Sequence, residues 1–424
     1  MFDLNANDSQ WWTLWATHMF NSPRNPPKPK VTPLPTCAPR AIWHNALMTT
    51  TPPSPIPFID LASQYARLKT DIDARIHAVL DHNQYILGEE VRDLEAALSA
   101  YCGASHTISC ANGTDALILP LKAWRVRAGD AVFVPSWSYC ASAEAVALLG
   151  ATPVFVDIDP RTYNMSAQSL RAAIAGCPDH LTPRVVMSVD LFGQSADYDA
   201  IAPIAREHGL KLLADCAQGF GTTWDGHHPI HWADAVTTSF FPAKPLGCYG
   251  DGGAVMTHDA ALDAELRSLR MHGAGTDKYD NVRVGLNSRL DTIQAAVLLS
   301  KLSVFDDEIA ARQRVADRYA DGLRGVVDVP FVAQEARSTW AIYTVATDAP
   351  DALQKALGAA GVPAPRYYPK PIHRQTAYAD YPVGAGGLDA TDAARLRAIS
   401  LPMHPYLGTA DQDRVVQALQ DTGG

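Results

Sequence analysis

Several features missing from this sequence of 424 residues argue against whole classes of protein. No stretch approaches the roughly 18 consecutive apolar residues of a membrane-spanning helix. The seven cysteines are scattered and form no C-x-x-C pair, which argues against a disulfide framework or a zinc cage and indicates a reducing compartment, the cytoplasm. Only 19% of the residues are charged, the net charge is −10, and no basic block occurs. We therefore expect neither nucleic acid nor a membrane as a partner.

Common phosphate, dinucleotide and nucleophile motifs are absent as well. The sequence contains no G-x-x-x-x-G-K-[ST], no G-x-G-x-x-G after its first strand and no G-x-S-x-G. His227, His228 and His231 form a dense cluster, but Pro229 interrupts the helix that an i, i+4 pair of metal ligands needs. A solvated loop explains the cluster better than a metal site, and we expect no metal.

The first part of the sequence differs from the rest in composition. Residues 1–57 hold 11 of the 30 prolines and four of the nine tryptophans, without apolar periodicity. Such a segment does not pack as a secondary-structure element, and it lacks the basic start and apolar core of a secretory signal. We predict a disordered Pro/Trp-rich leader over residues 1–55, or a misassigned start with the true one at Met48; a docking tail is the alternative. Globular patterning begins at Ile56.

The rest of the sequence predicts an α/β fold in two domains. From Asp60 to about Thr257, short apolar runs alternate with stretches of helical periodicity. Strands that are apolar on both faces and alternate with helices indicate a mostly parallel sheet covered on both sides. A long helical stretch over residues 291–323 follows, and then a smaller α+β unit. We predict a large domain over residues 56–298 and a small C-terminal domain over residues 299–424.

Three chemically suggestive residue sets follow short apolar runs. The run 212–214 leads directly into Asp215, which places a carboxylate at the ligand-binding edge of a parallel sheet. Lys244 follows another such run, in a loop with prolines and glycines, where partial burial would lower its pKa and free the amine. Gly113 and Thr114 begin a helix whose free N–H groups suit a phosphate. Taken singly, each has a plainer explanation, as a helix cap or a surface lysine.

Together these residues indicate pyridoxal phosphate as the cofactor. Lys244 would form a Schiff base with the aldehyde, and Asp215 would keep the pyridine nitrogen protonated, so that the ring becomes an electron sink. The Ser239 hydroxyl would help the helix start to hold the phosphate. Trp137 follows another predicted strand and is placed to cover one face of the ring. Its alternative role is that of an ordinary core tryptophan.

Six motifs in order make the chain, from about Ile56 to its C-terminus, resemble the DegT-type sugar aminotransferases. These motifs occupy residues 84–88, 112–117, 150–157, 215–218, 239–244 and 285–291. The resemblance implies a pyridoxal-phosphate-dependent transferase of fold type I, with a mostly parallel seven-stranded sheet between helices. It also implies transfer of an amino group, from glutamate, to the keto group of a nucleotide-linked sugar. A homodimer with shared active sites is implied as well.

The resemblance assigns roles to individual residues. Lys244 matches the catalytic Schiff-base lysine. The matching cofactor-binding residues are Asp215 at the pyridine nitrogen, Gln218 on the hydroxyl side of the ring, Gly113, Thr114 and Ser239 at the phosphate, Trp137 as the stacking aromatic and Asn287 from the neighbouring subunit. Arg289 matches an arginine near the sugar or the donor carboxylate. Tyr368 lies in a Tyr-Tyr-Pro stretch where the family carries a substrate-contacting His-Tyr-Pro.

Several readings of the activity stay open within this resemblance. One branch of the family dehydrates its sugar and carries histidine where this sequence has Lys244, so the lysine favours amino transfer. The motifs are most similar to a subgroup that aminates UDP-2-acetamido-2-deoxy-3-oxo-glucuronate for bacterial surface polysaccharide. Because Tyr367 departs from the family pattern, a dTDP- or GDP-linked 3- or 4-keto-deoxyhexose remains an alternative substrate. A non-catalytic regulator that senses a sugar nucleotide is the alternative of another class.

Overall fold

A computed structural model describes residues 55–277 and 279–422, so the predictions of a leader and of a start at Met48 fall outside the described residues, apart from Pro55. Within those ranges the chain forms twelve α-helices. They are α1 Leu61–His82, α2 Glu89–Cys102, α3 Gly113–Ala123, α4 Ala141–Leu148, α5 Ala167–Ala175, α6 Tyr198–Glu207, α7 Ala260–Leu269, α8 Thr292–Leu302, α9 Phe305–Leu323, α10 Pro350–Ala359, α11 Asp389–Arg397 and α12 Thr409–Gln420. None of these helices is long and apolar enough to cross a membrane.

Eleven strands lie in the same described ranges, and seven of them form one sheet. The strands are β1 His106–Cys110, β2 Asp130–Pro135, β3 Thr152–Val156, β4 Thr182–Val189, β5 Lys211–Asp215, β6 Thr223–Trp224, β7 Ala235–Ser239, β8 Gly253–Thr257, β9 Ala336–Arg337, β10 Tyr343–Ala346 and β11 Ala398–Leu401. The large sheet has the order β1-β8-β7-β5-β4-β2-β3, and only β8 runs antiparallel to its neighbours. The predicted α/β fold with a mostly parallel seven-stranded sheet is confirmed.

The register of the sheet collects polar side chains at one edge. Strand β4 pairs with β5 so that Val189 lies opposite Asp215, and β5 pairs with β7 so that Asp215 lies opposite Thr237. On the far side of β7, Gly253 in β8 pairs with both Ser239 and Cys110. The ends of β1, β5 and β7 therefore meet at the same edge, as parallel strands followed by ligand-binding loops do.

Helices cover both faces of this sheet because its strands are apolar on both sides. One hydrophobic core contains side chains from α2, α5, α6 and α8 together with one face of the sheet, and a second contains α3, α4 and α7 with the other face. Strand β2, which lies between β4 and β3, is buried along its whole length, from Asp130 to Pro135. Burial of such strands supplies much of the stability of an α/β fold, at about 25 cal/mol for each Å² of apolar surface.

The C-terminal part packs around a separate hydrophobic cluster. Strands β10 and β11 pair antiparallel, and helices α9, α10 and α12 contribute apolar side chains to the cluster. The first described residues join it: the N–H of Ile56 donates to the carbonyl of Gly361 at 3.0 Å, and the N–H of Met403 donates to the carbonyl of Phe58 at 3.3 Å. The predicted long helical stretch consists of two helices, α8 and α9. The domain boundary near residue 298 stays a prediction.

Candidate active site

Two of the predicted residues, Lys244 and Asp215, lie close enough at the sheet edge to interact electrostatically. Strand β5 ends in Asp215, which is 5% exposed, and the half-buried Lys244 follows β7 in a tight turn. The hydroxyl of Ser142 donates to Asp215 Oδ2 at 3.1 Å, and the N–H of Ala217 donates to Oδ1 at 3.0 Å. Both donors fix the orientation of the carboxylate.

Burial shifts the pKa of each group in the direction that favours its neutral form. Burial lowers the pKa of the Lys244 ammonium, and the charge of Asp215 only partly opposes this shift. Burial raises the pKa of Asp215, opposed by the Ala217 N–H, by Lys244 and by Ser142. A lysine with a lowered pKa holds more of the neutral amine at neutral pH, which is the form that takes up a proton or attacks a carbonyl.

The predicted phosphate residues Gly113 and Ser239 lie in direct contact. A Cβ atom placed on Gly113 would come within 2.6 Å of the Ser239 Cβ and 3.0 Å of its hydroxyl oxygen. The side chain of Asn112 caps α3 by accepting the N–H of Asp115 at 2.8 Å. The Ser239 hydroxyl thus lies against the N-terminus of α3, where Thr114 follows in the first turn. A helix N-terminus beside a hydroxyl is suited to an anion.

Gln218 is held between two other parts of the chain. Its Oε1 accepts the N–H of Phe192 at 2.8 Å, and its Nε2 donates to the hydroxyl of Tyr368 at 3.1 Å. Burial raises the pKa of the Tyr368 hydroxyl, so this group stays protonated at neutral pH. The structure therefore brings two predicted site residues, Gln218 and Tyr368, together near Asp215, whose charge also acts on Tyr368.

Trp137 lies in the hydrophobic interior. Its side chain has no exposed surface, and the centre of its ring lies 4.8 Å from that of Tyr163 and 6.1 Å from that of Phe192. Its indole N–H has no hydrogen-bond partner among the described residues. Tyr139, two residues further on, is 57% exposed, and its ring lies 6.4 Å from that of Tyr368. The stacking role of Trp137 stays a prediction, and Tyr139 is a second aromatic candidate at the same edge.

Asn287 and Arg289 lie in a separate open cavity of about 440 Å³. Its other lining residues are Ala111, Gly250, Asp251, Asp291 and Gln294. Ala111 directly precedes the cap of α3, so the cavity adjoins the phosphate residues, but neither Lys244 nor Asp215 lines it. Within the chain, Asn287 and Arg289 therefore line one cavity, and Lys244 and Asp215 lie outside its lining.

Two buried ionisable residues near the site were missed by the sequence analysis. Lys301 on α8 is 1% exposed, donates to the Gly247 carbonyl at 2.6 Å and lies 4.2 Å from the centre of the Tyr249 ring. Burial lowers the pKa of Lys301 to about 8. Asp190 directly follows β4, and the signal that could have found it is the one that found Asp215: an apolar run that ends in an acid.

Comparison with known proteins shows the family of the chain. The profile of the DegT/DnrJ/EryC1/StrS aminotransferase family matches residues 66–420. The chain belongs to this family. The UDP-2-acetamido-2-deoxy-3-oxo-D-glucuronate aminotransferase of Pseudomonas aeruginosa is 48% identical over 371 residues, covering 86% of this chain and 99% of that relative. The predicted membership of a DegT-type family and the predicted enzyme class, a sugar aminotransferase, are confirmed.

Solved structures of the DegT/DnrJ/EryC1/StrS family share the architecture. A family aminotransferase from Brucella abortus has 48% identity and a TM-score of 0.86, covering 87% of this chain and 100% of that one. DesV of S. venezuelae, crystallised in complex with a ketimine intermediate, has 36% identity and a TM-score of 0.83, covering 87% and 98%. These matches extend over both the large sheet and the C-terminal cluster.

Proposed function

We propose that the chain is a pyridoxal-phosphate-dependent aminotransferase that moves an amino group from glutamate to the keto group of UDP-2-acetamido-2-deoxy-3-oxo-glucuronate. The observation that carries this proposal is the pairing of half-buried Lys244 with buried Asp215 beside the start of α3. The relative from Pseudomonas aeruginosa supports this choice of sugar. A dTDP- or GDP-linked 3- or 4-keto-deoxyhexose is the alternative substrate. The product would serve bacterial surface polysaccharide, such as the O-antigen of lipopolysaccharide, and the enzyme would act in the cytoplasm.

The residues present fit pyridoxal phosphate. Gly113 lets the start of α3 approach the Ser239 hydroxyl closely, because a Cβ there would collide with Ser239. Gly113, Thr114 and Ser239 would hold the phosphate, Asp215 the ring nitrogen and Gln218 the hydroxyl side of the ring. When bound, the cofactor supplies a ring that accepts electrons from the carbon losing its proton.

The chain's own residues would supply the proton transfers. Because burial lowers the pKa of Lys244, a larger share of its amine is neutral. This amine would take the proton from the α-carbon of glutamate and would later give a proton to the sugar carbon that receives the amino group. Asp215 would keep a negative charge at the end of β5, in an orientation fixed by Ser142 and Ala217. The fixed carboxylate needs no reorganisation during the reaction.

We also propose a homodimer whose active sites are shared. Asn287 and Arg289 lie in a cavity that neither Lys244 nor Asp215 lines, so within one chain they do not complete the catalytic pair. In a dimer, Asn287 would reach the phosphate of the neighbouring site, and Arg289 would bind the sugar nucleotide or the glutamate carboxylate. An arginine suits either anion because its planar guanidinium can bind bidentately.

The experiment compares the wild type with Lys244→Ala and with the exposed lysine variant Lys355→Ala as a control. Each protein receives pyridoxal phosphate, glutamate and the candidate keto sugars, and mass spectrometry measures the amino sugar formed. We expect amine formation by the wild type and Lys355→Ala, and a loss of at least about a thousandfold in Lys244→Ala. A keto product without amine would indicate dehydration, and a wild type that neither binds the cofactor nor forms amine would favour the sugar-nucleotide sensor.

A further inference from the structure

We propose that a second buried acid, Asp190, is a positioning residue for amino transfer: it ties the loop after β4 to the segment that carries Asp215 and Gln218, and it sets the charge behind Asp215. This inference rests on the proposed function. Asp190 stands at the end of β4 as Asp215 stands at the end of neighbouring β5. Its own N–H donates to the Asp215 carbonyl at 3.0 Å, so the backbones of the two acids are directly linked.

The carboxyl group of Asp190 ties down the loop that follows it. The side chain has no exposed surface, and its Oδ1 accepts the N–H of Ala196 at 2.8 Å and the hydroxyl of Tyr198 at 2.9 Å. Both bonds close the loop over residues 191–196. Phe192 within this loop donates its N–H to Gln218, so the position of the loop determines how the amide of Gln218 is oriented.

The other carboxyl oxygen of Asp190 holds the segment between Asp215 and Gln218. The thiol of Cys216 donates to Asp190 Oδ2 at 3.0 Å. Gly219 lies so close that a Cβ there would come within 2.3 Å of the Asp190 Cβ, so this segment packs directly on the acid. One side chain therefore fixes, from behind, both residues assigned to the ring of the cofactor.

The charge of this acid changes in the working range of pH. Among the described residues, the titratable groups that act on Asp190 are Cys216, Tyr198 and Asp215. Burial raises the pKa of Asp190 to about 7, and the charge of Asp215 adds to this effect, while hydrogen bonds from Cys216, Ala196 and Tyr198 oppose it. The pKa values of Tyr198 and Cys216 lie well above their ordinary ranges, so both remain neutral.

This titration has a consequence for Asp215. Below neutrality Asp190 would be protonated, and no second charge would stand directly behind Asp215. Above neutrality a second negative charge stands behind it, which increases the attraction for a proton on the cofactor nitrogen. The two carboxyls are coupled, so their protons come off in steps that belong to the pair.

The test uses Asp190→Asn, which keeps an oxygen for the Ala196 and Tyr198 bonds but cannot ionise. Carbon-13 NMR of the protein labelled in its aspartate carboxyls, without cofactor, follows titration from pH 5 to 9. We expect the wild type to show a carboxyl that titrates near pH 7 and Asp190→Asn to lose that signal. Asp197→Asn, which changes the nearby acid that caps α6, should retain it. Persistence of the signal in Asp190→Asn, or its absence from the wild type, would overturn the proposal.

A second variant guards against failure of Asp190→Asn to fold. Cys216→Ser replaces the weak thiol donor to Asp190 with a stronger hydroxyl donor, so the Asp190 carboxyl should titrate at lower pH. An unchanged midpoint would count against the contact between residue 216 and Asp190. With pyridoxal phosphate bound, kcat of Asp190→Asn should change less between pH 6 and pH 8 than kcat of the wild type. The NMR result does not require cofactor or substrate, so loss of the proposed activity in the wild type and failure of this inference are separate outcomes.

Discussion

Gly113 allows the phosphate site to be tested by adding one methyl group. In Gly113→Ala the new Cβ would lie 2.6 Å from the Ser239 Cβ, whereas ordinary contact begins at 3.4 Å, so α3 and β7 must separate by about 0.8 Å. Overpacking of this size costs about 1–3 kcal/mol. Alanine recovers about 0.5–1 kcal/mol because it is the better helix former. We therefore expect the protein without cofactor to lose at most about 2.5 kcal/mol of its free energy of unfolding.

The same displacement should act more strongly on cofactor binding. A hydrogen bond to a charged group contributes about 1.5–3 kcal/mol, so misplacing one donor to the phosphate should weaken affinity about 10- to 100-fold. Absorbance titration with pyridoxal phosphate measures this loss, and urea unfolding measures the stability of the same preparation. Gly408→Ala is the matched control, because residue 408 also stands at a helix start but has open space around it. Unchanged affinity in Gly113→Ala would refute the assignment of this site.

Three further experiments probe the fold and the shared site. Glu95→Ala should lower the free energy of unfolding, measured in urea, by about 3–5 kcal/mol at pH 7, because the change leaves the buried Arg270 without its carboxylate partner. Equal mixing of Lys244→Ala with Asn287→Ala should restore about 25% of wild-type activity, since half of the dimers then contain one intact site. Tyr139→Ala should alter the absorbance band of bound cofactor, whereas alanine at buried Trp137 should chiefly lower stability.

Each of these predictions has an outcome that contradicts it. Burial acts to raise the pKa of Glu95, but the arginines and the Ser109 N–H bring it below its ordinary 4.5. Its contribution is therefore present above pH 4.5 and is lost as pH falls through the lowered pKa. If the loss of unfolding free energy in Glu95→Ala became larger as the pH falls, this account would be contradicted. Glu207→Ala, at the surface, should change the free energy of unfolding little. If mixing Lys244→Ala with Asn287→Ala restored no activity, the sites would not be shared between subunits. If alanine at Trp137 altered the cofactor absorbance more than Tyr139→Ala does, the predicted stacking role of Trp137 would be supported.

The sequence predicted those site residues that directly follow apolar strands. Asp215 and Lys244 were found in this way because the end of a buried strand can be read from hydrophobicity alone. The burial of Lys301 could not be predicted in this way. A lysine in an apolar helix looks like a surface residue in the sequence, and only the folded loop at Gly247 provides its buried partner. The direction of β8 was also hidden, because the loop over residues 240–252 returns the chain antiparallel to β7, and the path of such a loop leaves no apolar pattern.

The burial of individual side chains and the ends of helices could not be predicted from the sequence either. Trp137 and Tyr139 are both aromatic residues after one strand, and only packing separates the buried one from the exposed one. A proline inside a helix usually ends or kinks it, yet α3 continues past Pro120 to Ala123 because tertiary packing buries that whole turn. The predicted 291–323 stretch breaks between Leu302 and Phe305, where no proline or glycine marks the boundary.

The pairing of β1 with β8 has a consequence for how the chain is made. Its partner residues, 106–110 and 253–257, are separated by nearly 150 positions, and β1 has no other neighbour in the sheet. At 5–20 residues per second, a ribosome needs roughly 7–30 s to supply the missing strand. During that interval the apolar face around Ile108 stays available to other chains and to chaperones. Slower synthesis at low temperature would prolong this exposure, so the yield of folded protein should depend on chaperone supply more than on the stability of the finished fold.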